Sequence, residues 1–145
     1  MNLQVLFSAP LAIQIHVYAA VLASVIGAIV LWRRKGNTAH KRWGKVWVLL
    51  MGVTALSSFL IHETRLIGQF SPIHMISILT LFALYFGVQQ ARNGNIVQHQ
   101  RIMKNIYIGG LGIAGAFTFL PSRLMYEVVI ALIITTRSWV LLVVA

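Results

Sequence analysis

Histidines are the residues of this sequence best suited to chemistry at neutral pH, and four of the five fall into two pairs. His16 and His74 each follow an isoleucine near the start of an apolar segment. His40 and His99 each begin a His-x-Arg-x-x-Lys motif. Imidazole is a common axial ligand of haem iron, and helical bundles build such sites from facing helices. The two pairs therefore predict two haem sites, each with two histidine ligands.

A cation accompanies each histidine of the second pair. Arg42 and Arg101 lie two residues after His40 and His99. A guanidinium group binds carboxylates through two parallel hydrogen bonds, and haem carries two propionate carboxylates. Arg42 and Arg101 are therefore predicted to hold the propionates. The alternative is that the motif is a duplicated orientation signal, since cationic loops are routine beside membrane spans.

The fifth histidine, His62, has no counterpart in this pairing, because Pro121 occupies the corresponding position. We expect His62 to lie at the same end of the protein as His16 and His74, where three imidazoles make an alternative site for zinc or copper. The sequence contains no cysteine, which excludes thiolate ligands and cysteine nucleophiles. No paired carboxylates or phosphate-binding loop is found either. No catalytic residue is therefore predicted, and enzyme activity is left open.

The elements that must position these histidines are long apolar segments. Of the 145 residues, 59% are hydrophobic and 10% are charged, whereas soluble domains contain roughly 25% charged residues. Because a membrane-spanning helix needs about 20 apolar residues, we expect an all-α integral membrane protein with four spans. The net charge of +10 then favours contact with the lipid bilayer rather than with nucleic acid.

Two helical hairpins, at residues 10–62 and 72–121, are predicted to form one four-helix transmembrane bundle. The hairpins repeat each other, because Gly36-Asn37 in the first loop matches Gly94-Asn95 in the second. A tandem repeat in one orientation predicts a pseudo-twofold axis along the membrane normal. Residues 124–145 follow the repeat as either a fifth span or an interfacial segment, because Arg137 interrupts their apolar run.

The symmetry predicts which histidines face each other. His16 and His40 are 24 residues apart, His74 and His99 are 25 apart, and we expect the extra residue to lie in the second loop. Equivalent histidines would then lie at similar depths across the axis. Most of the cations lie in the two loops that precede His40 and His99 or in the helical turns that follow them: Arg33, Arg34, Lys35, Lys41, Arg42, Lys45, Arg92, Arg101 and Lys104. Cytoplasmic loops carry such an excess, so the N-terminus is predicted to lie outside.

Several short motifs of this sequence resemble those of a known family. They are Ile73-His74 at the start of a span, His99 with Arg101 in a basic loop, Tyr107–Gly110, and Phe117–Arg123. They resemble bacterial membrane proteins catalogued as domain of unknown function 2306. With the HKRWGK stretch the resemblance covers roughly residues 10–124. It implies a multi-pass protein of the bacterial inner (plasma) membrane.

A more distant resemblance is to diheme membrane proteins of the cytochrome b-561 type, through His40-x-x-x-Gly44. The second hairpin departs from it, with Met103 in the glycine position. The leading hypothesis is a b-type haem protein that moves electrons and exchanges them with a quinone or a partner membrane subunit. The alternatives are a cofactor-free accessory subunit of a larger membrane complex and a small transporter.

Overall fold

The computed structural model describes residues 4–61 and 72–118, together with Tyr126, Val129 and Ile133. Every regular element in those two ranges is helical, which confirms the all-α class. The elements are α1 (Gln4–Phe7), α2 (Leu11–Trp32), α3 (Thr38–Ser58), α4 (Pro72–Arg92), α5 (Ile96–Asn105), a π-helical segment (Ile106–Ile113) and α6 (Ala114–Phe117). The last three elements are consecutive and form one continuous helix. His62 and Arg137 lie outside the described residues.

The long helices pack as a closed ring. α2 contacts α3, α3 contacts α4, and α4 contacts both α5 and the π-helical segment, which in turn contacts α2. The arrangement confirms the predicted helical bundle. Since neighbours in the ring are neighbours in sequence, α2 and α4 lie on one diagonal of the bundle. α3 and the last helix lie on the other.

The distribution of side chains is that of a membrane protein. Polar residues lie inside the bundle, where Ser58 is fully buried and Ser77 is 5% exposed. Large apolar residues lie outside, among them Leu49, Leu79 and Phe82, which are 68%, 62% and 61% exposed. A soluble protein favours the opposite arrangement. Small and polar residues at the contacts between helices are typical of membrane bundles. Lipid tails are as apolar as the side chains, so the hydrophobic effect does not drive large apolar residues into the contacts between helices.

Two of the described helical segments, Leu11–Trp32 and His74–Arg92, are long and apolar enough to cross a membrane. They are α2 and most of α4, the first helices of the two hairpins. Spanning by α3 and by the last helix stays a prediction. Both of those helices begin with a cationic turn, which lowers their mean hydropathy.

The core is centred on a close approach between three helices at Gly27. The Trp47 indole N–H donates to the Ala23 carbonyl at 3.0 Å, and the Tyr107 hydroxyl donates to the Ser24 carbonyl at 3.1 Å. Both rings lie directly over Gly27, where a Cβ would come within 2.7 Å of Tyr107 and would also clash with Trp47 Nε1. The missing side chain at this position therefore lets α3 and the π-helical segment pack against α2.

The repeated Gly-Asn pair has the same structural role in both loops. Gly36 and Gly94 have φ angles of +86° and +76°, in the left-handed region that glycine adopts without a steric cost. The asparagine that follows caps the next helix. The Asn37 side chain accepts from the His40 N–H at 2.7 Å, and the Asn95 side chain accepts from the Gln98 N–H at 3.3 Å.

These equivalent caps show that the expected position of the extra residue was wrong. His40 is the third residue after its cap, whereas His99 is the fourth, so the extra residue lies in the first turn of α5. One residue rotates a helical position by roughly 100° and advances it by about 1.5 Å. The π-helical segment Ile106–Ile113 follows in the same helix. Its wider turns hold more residues than α-helical turns, so this segment is able to absorb the insertion.

Candidate functional site

His40 and His99 lie at the same end of the bundle, named the basic end because the two Gly-Asn loops and their cations lie there. They are carried by α3 and α5, on one diagonal of the ring. Burial is the main cause that holds the pKa of His40 below its ordinary value of 6.5, and the charge of His99 is the next. Lys35 acts in the same direction, and the Val30 carbonyl opposes it. His40 is therefore neutral at pH 7, the form in which imidazole binds metal.

The ring nitrogens of the two histidines at the basic end differ in their hydrogen bonding. His99 Nδ1 lies 2.8 Å from the Gly87 carbonyl and donates a hydrogen bond to it. Metal-ligating histidines commonly donate their other ring N–H to a backbone carbonyl in this way. His40 Nδ1 is buried and forms no hydrogen bond of standard geometry with the described residues, although the Val30 carbonyl lies near enough to the ring to raise its pKa. An unsatisfied buried polar atom costs about 1–3 kcal/mol, which a bound ligand would recover.

Local sequence explains how His99 reaches α4. Gly87 has no side chain, and a Cβ there would lie 3.1 Å from Ile102 and closer still to the end of Met103. The glycine therefore allows α5 to approach α4 closely enough for the imidazole to bond the Gly87 carbonyl. Gly87 was not predicted as a site residue. A lone glycine inside an apolar segment is a weak signal for such an approach.

Arg42 and Arg101 do not share a helix face with the histidines. Both arginines are exposed, and each lies two residues after its histidine, which is about 200° around an α-helix. Residues at this spacing do not face each other. Their role as propionate ligands stays a prediction, and their exposure favours contact with lipid phosphates. The cation that acts on His40 is instead Lys35, which the sequence analysis assigned only to the basic loop.

The opposite end of the bundle holds His16, which packs against α3, and His74, which packs against Phe59 just after α3. His16 Nδ1 lies 2.9 Å from the Thr54 carbonyl and 3.1 Å from Ser57 Oγ. The carbonyl requires a donor, so Nδ1 carries the proton. His74 is 6% exposed, and its ring centroid lies 5.5 Å from that of Phe59 at an interplanar angle of 36°.

A cavity of about 210 Å³ lies beside His16. Its walls come from α2, α3, α4 and the last helix, and its polar lining residues are His16, Ser24, Thr54, Ser77, Thr80 and Thr118. His74 is not among the lining residues. Pockets for drug-sized ligands measure roughly 300–1,000 Å³, so this cavity is too small for a haem macrocycle. The geometry therefore does not favour His16 and His74 as a haem site.

The described residues contain no group of three side chains able to hold a metal ion. His16 and His74 are within that part of the chain, and His62 is not. The alternative zinc or copper site at His16, His74 and His62 thus stays a prediction.

Comparison with known proteins agrees with this architecture. Residues 13–145 match the model of a family described as predicted membrane protein (DUF2306). No curated protein and no solved structure matches the chain, so the likeness to diheme cytochromes of the b-561 type is a hypothesis only. The match continues past residue 124, where the resemblance was expected to end, and so includes the C-terminal segment. The chain therefore belongs to this family of predicted membrane proteins.

Proposed function

We propose that this chain binds haem b at the basic end of the bundle, with His40 and His99 as the axial ligands. The observation that carries the proposal is that the two imidazoles lie at the same end of the bundle, close enough for the charge of His99 to lower the pKa of His40. His99 offers Nε2 because its Nδ1 proton is donated to the Gly87 carbonyl. His40 is held neutral and has a buried ring nitrogen that forms no hydrogen bond of standard geometry in the described part of the chain.

A haem with two histidine ligands accepts and releases single electrons, so the proposed function is electron transfer within the membrane. The protein residues fix the two imidazoles and their tautomers. The hydrogen bond to Gly87 orients the His99 ring and makes its free nitrogen a better donor to iron. Lys35, beside His40, supplies a positive charge that suits an anionic propionate.

The geometry favours one haem rather than the two expected from the sequence. At the basic end the charge of His99 lowers the pKa of His40, whereas the cavity beside His16 is smaller than a macrocycle. His16 does share one property with His99, a ring proton donated to a backbone carbonyl. His16 and His74 are therefore the second candidate pair.

The test is an absorption spectrum of the purified chain, oxidised and then reduced with dithionite, after expression with haem in ample supply. We expect about one haem per chain, lost in His40→Gln and in His99→Gln and retained in His16→Gln. Circular dichroism checks that each variant is folded. A colourless folded protein, or haem retained in both basic-end variants, would overturn the proposal. Two haems per chain would restore the two-site arrangement.

A colourless protein would favour one of the two other functions. Co-purification in a fixed ratio with a larger membrane protein would support an accessory subunit. The polar-lined cavity is the feature that suits a small transporter, because transporters bind substrate in cavities near mid-membrane. Uptake of a labelled substrate into vesicles would be the corresponding measurement.

A further inference from the structure

The cavity beside His16 is unused by the proposed haem site, and its chemistry is specific enough to indicate a ligand. Most of its wall is apolar, from residues such as Val17, Ala20 and Met51. Val21 and Ile76 also line it, and they are 51% and 40% exposed, so the cavity opens to the outer surface of the bundle. In a membrane protein that surface faces lipid. A ligand would therefore arrive from the bilayer and would itself be lipid-soluble.

Two polar groups on the wall are available to a ligand. The Nδ1 proton of His16 is committed to the Thr54 carbonyl, and Nε2 has no hydrogen-bond partner within the described part of the chain. Nε2 is therefore a free acceptor. The Thr80 hydroxyl likewise forms no hydrogen bond to any described residue, and Thr80 lines the cavity from α4. The other hydroxyls are occupied; Thr54, for example, donates to the Leu50 carbonyl at 2.9 Å.

We propose that this cavity binds the ring of a neutral, lipid-soluble quinol. No charged side chain lines it, which selects a neutral ligand. A volume of about 210 Å³ equals the space of roughly seven water molecules at about 30 Å³ each, enough for one substituted six-membered ring. One ring hydroxyl donates to His16 Nε2, and another ring oxygen bonds the Thr80 hydroxyl. The binding site is independent of the haem proposal.

The free acceptor on His16 decides which redox form binds better. A quinol has O–H groups that donate to Nε2. A quinone has only carbonyl oxygens, which accept hydrogen bonds, so its oxygen and Nε2 would repel each other. Acyl chains of lipids would fill the apolar wall but would leave both polar groups unpaired, which is unfavourable in a low-dielectric interior. The chemistry of the cavity therefore selects a ring that carries hydroxyl groups.

The test is anaerobic calorimetric titration of the full chain in detergent with tetramethylhydroquinone, against a blank of detergent alone. Gly115 lines the cavity, and a Cβ there meets no described atom within 4 Å. Gly115→Leu should fill the cavity and weaken binding by more than about tenfold, as expected when a ring loses its pocket. Gly109→Leu is the matched control, since Gly109 has equal space for a side chain but lies outside the cavity lining.

Removal of the free hydroxyl tests the polar contact. Thr80→Val should weaken binding about fivefold, the usual effect of one neutral hydrogen bond. Thr54→Val should leave it unchanged, because that hydroxyl is already bonded to its own helix. The quinone form should bind more weakly than the quinol. Absence of saturable binding, or equal affinities in Gly115→Leu and Gly109→Leu, would overturn the site. An unchanged affinity in Thr80→Val would overturn the assignment of its hydroxyl.

Discussion

Gly27→Ala tests whether the close approach of three helices holds the bundle together. The added methyl group would clash with the indole nitrogen of Trp47 and would lie 2.7 Å from ring carbons of Tyr107. Neither ring is able to yield easily, because each is rigid and each is tied by a hydrogen bond to α2. The substitution must therefore move α2 away from both rings or push the rings out of the core.

The cost follows from the contacts that are lost. Two hydrogen bonds, from Trp47 to Ala23 and from Tyr107 to Ser24, stretch or break, at about 0.5–1.5 kcal/mol each. Overpacking of the core adds about 1–3 kcal/mol. The higher helix propensity of alanine returns at most about 1 kcal/mol. These contributions sum to a fall of about 1–6 kcal/mol in the free energy of unfolding, and their central values give about 3 kcal/mol.

Reversible unfolding in mixed micelles, followed by circular dichroism, measures this change. Gly52→Ala is the control, because Gly52 lies in α3 and a Cβ there meets no described atom within 4 Å. The control should change stability by less than about 1 kcal/mol. Equal stabilities of Gly27→Ala and Gly52→Ala would show that the three helices do not meet at Gly27 and would refute the packing described for the core.

Three further predictions concern other contacts. Gly87→Ala should cost only about 1 kcal/mol in the same unfolding assay, because its closest neighbour is the flexible end of Met103; a loss as large as that of Gly27→Ala would contradict this. Ser77→Ala removes the 2.6 Å hydrogen bond to Ser58 and should lower stability by about 0.6 kcal/mol, the average for such bonds in membranes; a loss above about 2 kcal/mol would contradict it. Because the pKa of His40 is lowered from 6.5, the folded state resists protonation that the unfolded chain accepts, so stability should be full above pH 6.5 and fall below it. When the free energy of unfolding is measured against pH, His40→Asn should show a smaller fall below pH 6.5. An unchanged pH dependence in this variant would assign the fall to other groups.

Much of the architecture was predictable because it depends on local patterns. Apolar segments of membrane-spanning length, separated by Gly-Asn pairs, predict helices joined by tight loops, and the glycine φ angles and asparagine caps at Asn37 and Asn95 agree. The extra residue was misplaced because spacing between histidines counts residues without showing where a helix begins. The match of Gly36-Asn37 with Gly94-Asn95 already places it after Asn95, and the cap at Asn95 shows that this position lies inside α5.

The candidate sites were less predictable, because they depend on which way each side chain points. Sequence paired His16 with His74 by their equivalent positions. The helices place His16 against Thr54 and His74 against Phe59 instead. The His-x-Arg-x-x-Lys motif also suggested that Arg42 and His40 act together. Residues two apart on an α-helix point about 200° away from each other around the helix axis.

The sequence by itself determined the class of the protein. Its few charged residues and its long apolar segments indicate a helical membrane protein, because backbone groups in a bilayer must be paired internally and an apolar run of about 20 residues achieves this as a helix. The tertiary structure alone decided which polar groups meet. Proton positions on His16 and His99 depend on carbonyls of other helices, at Thr54 and Gly87. The cavity likewise exists only where four helices leave space between them, which depends on helix rotation and packing and not on any stretch of sequence.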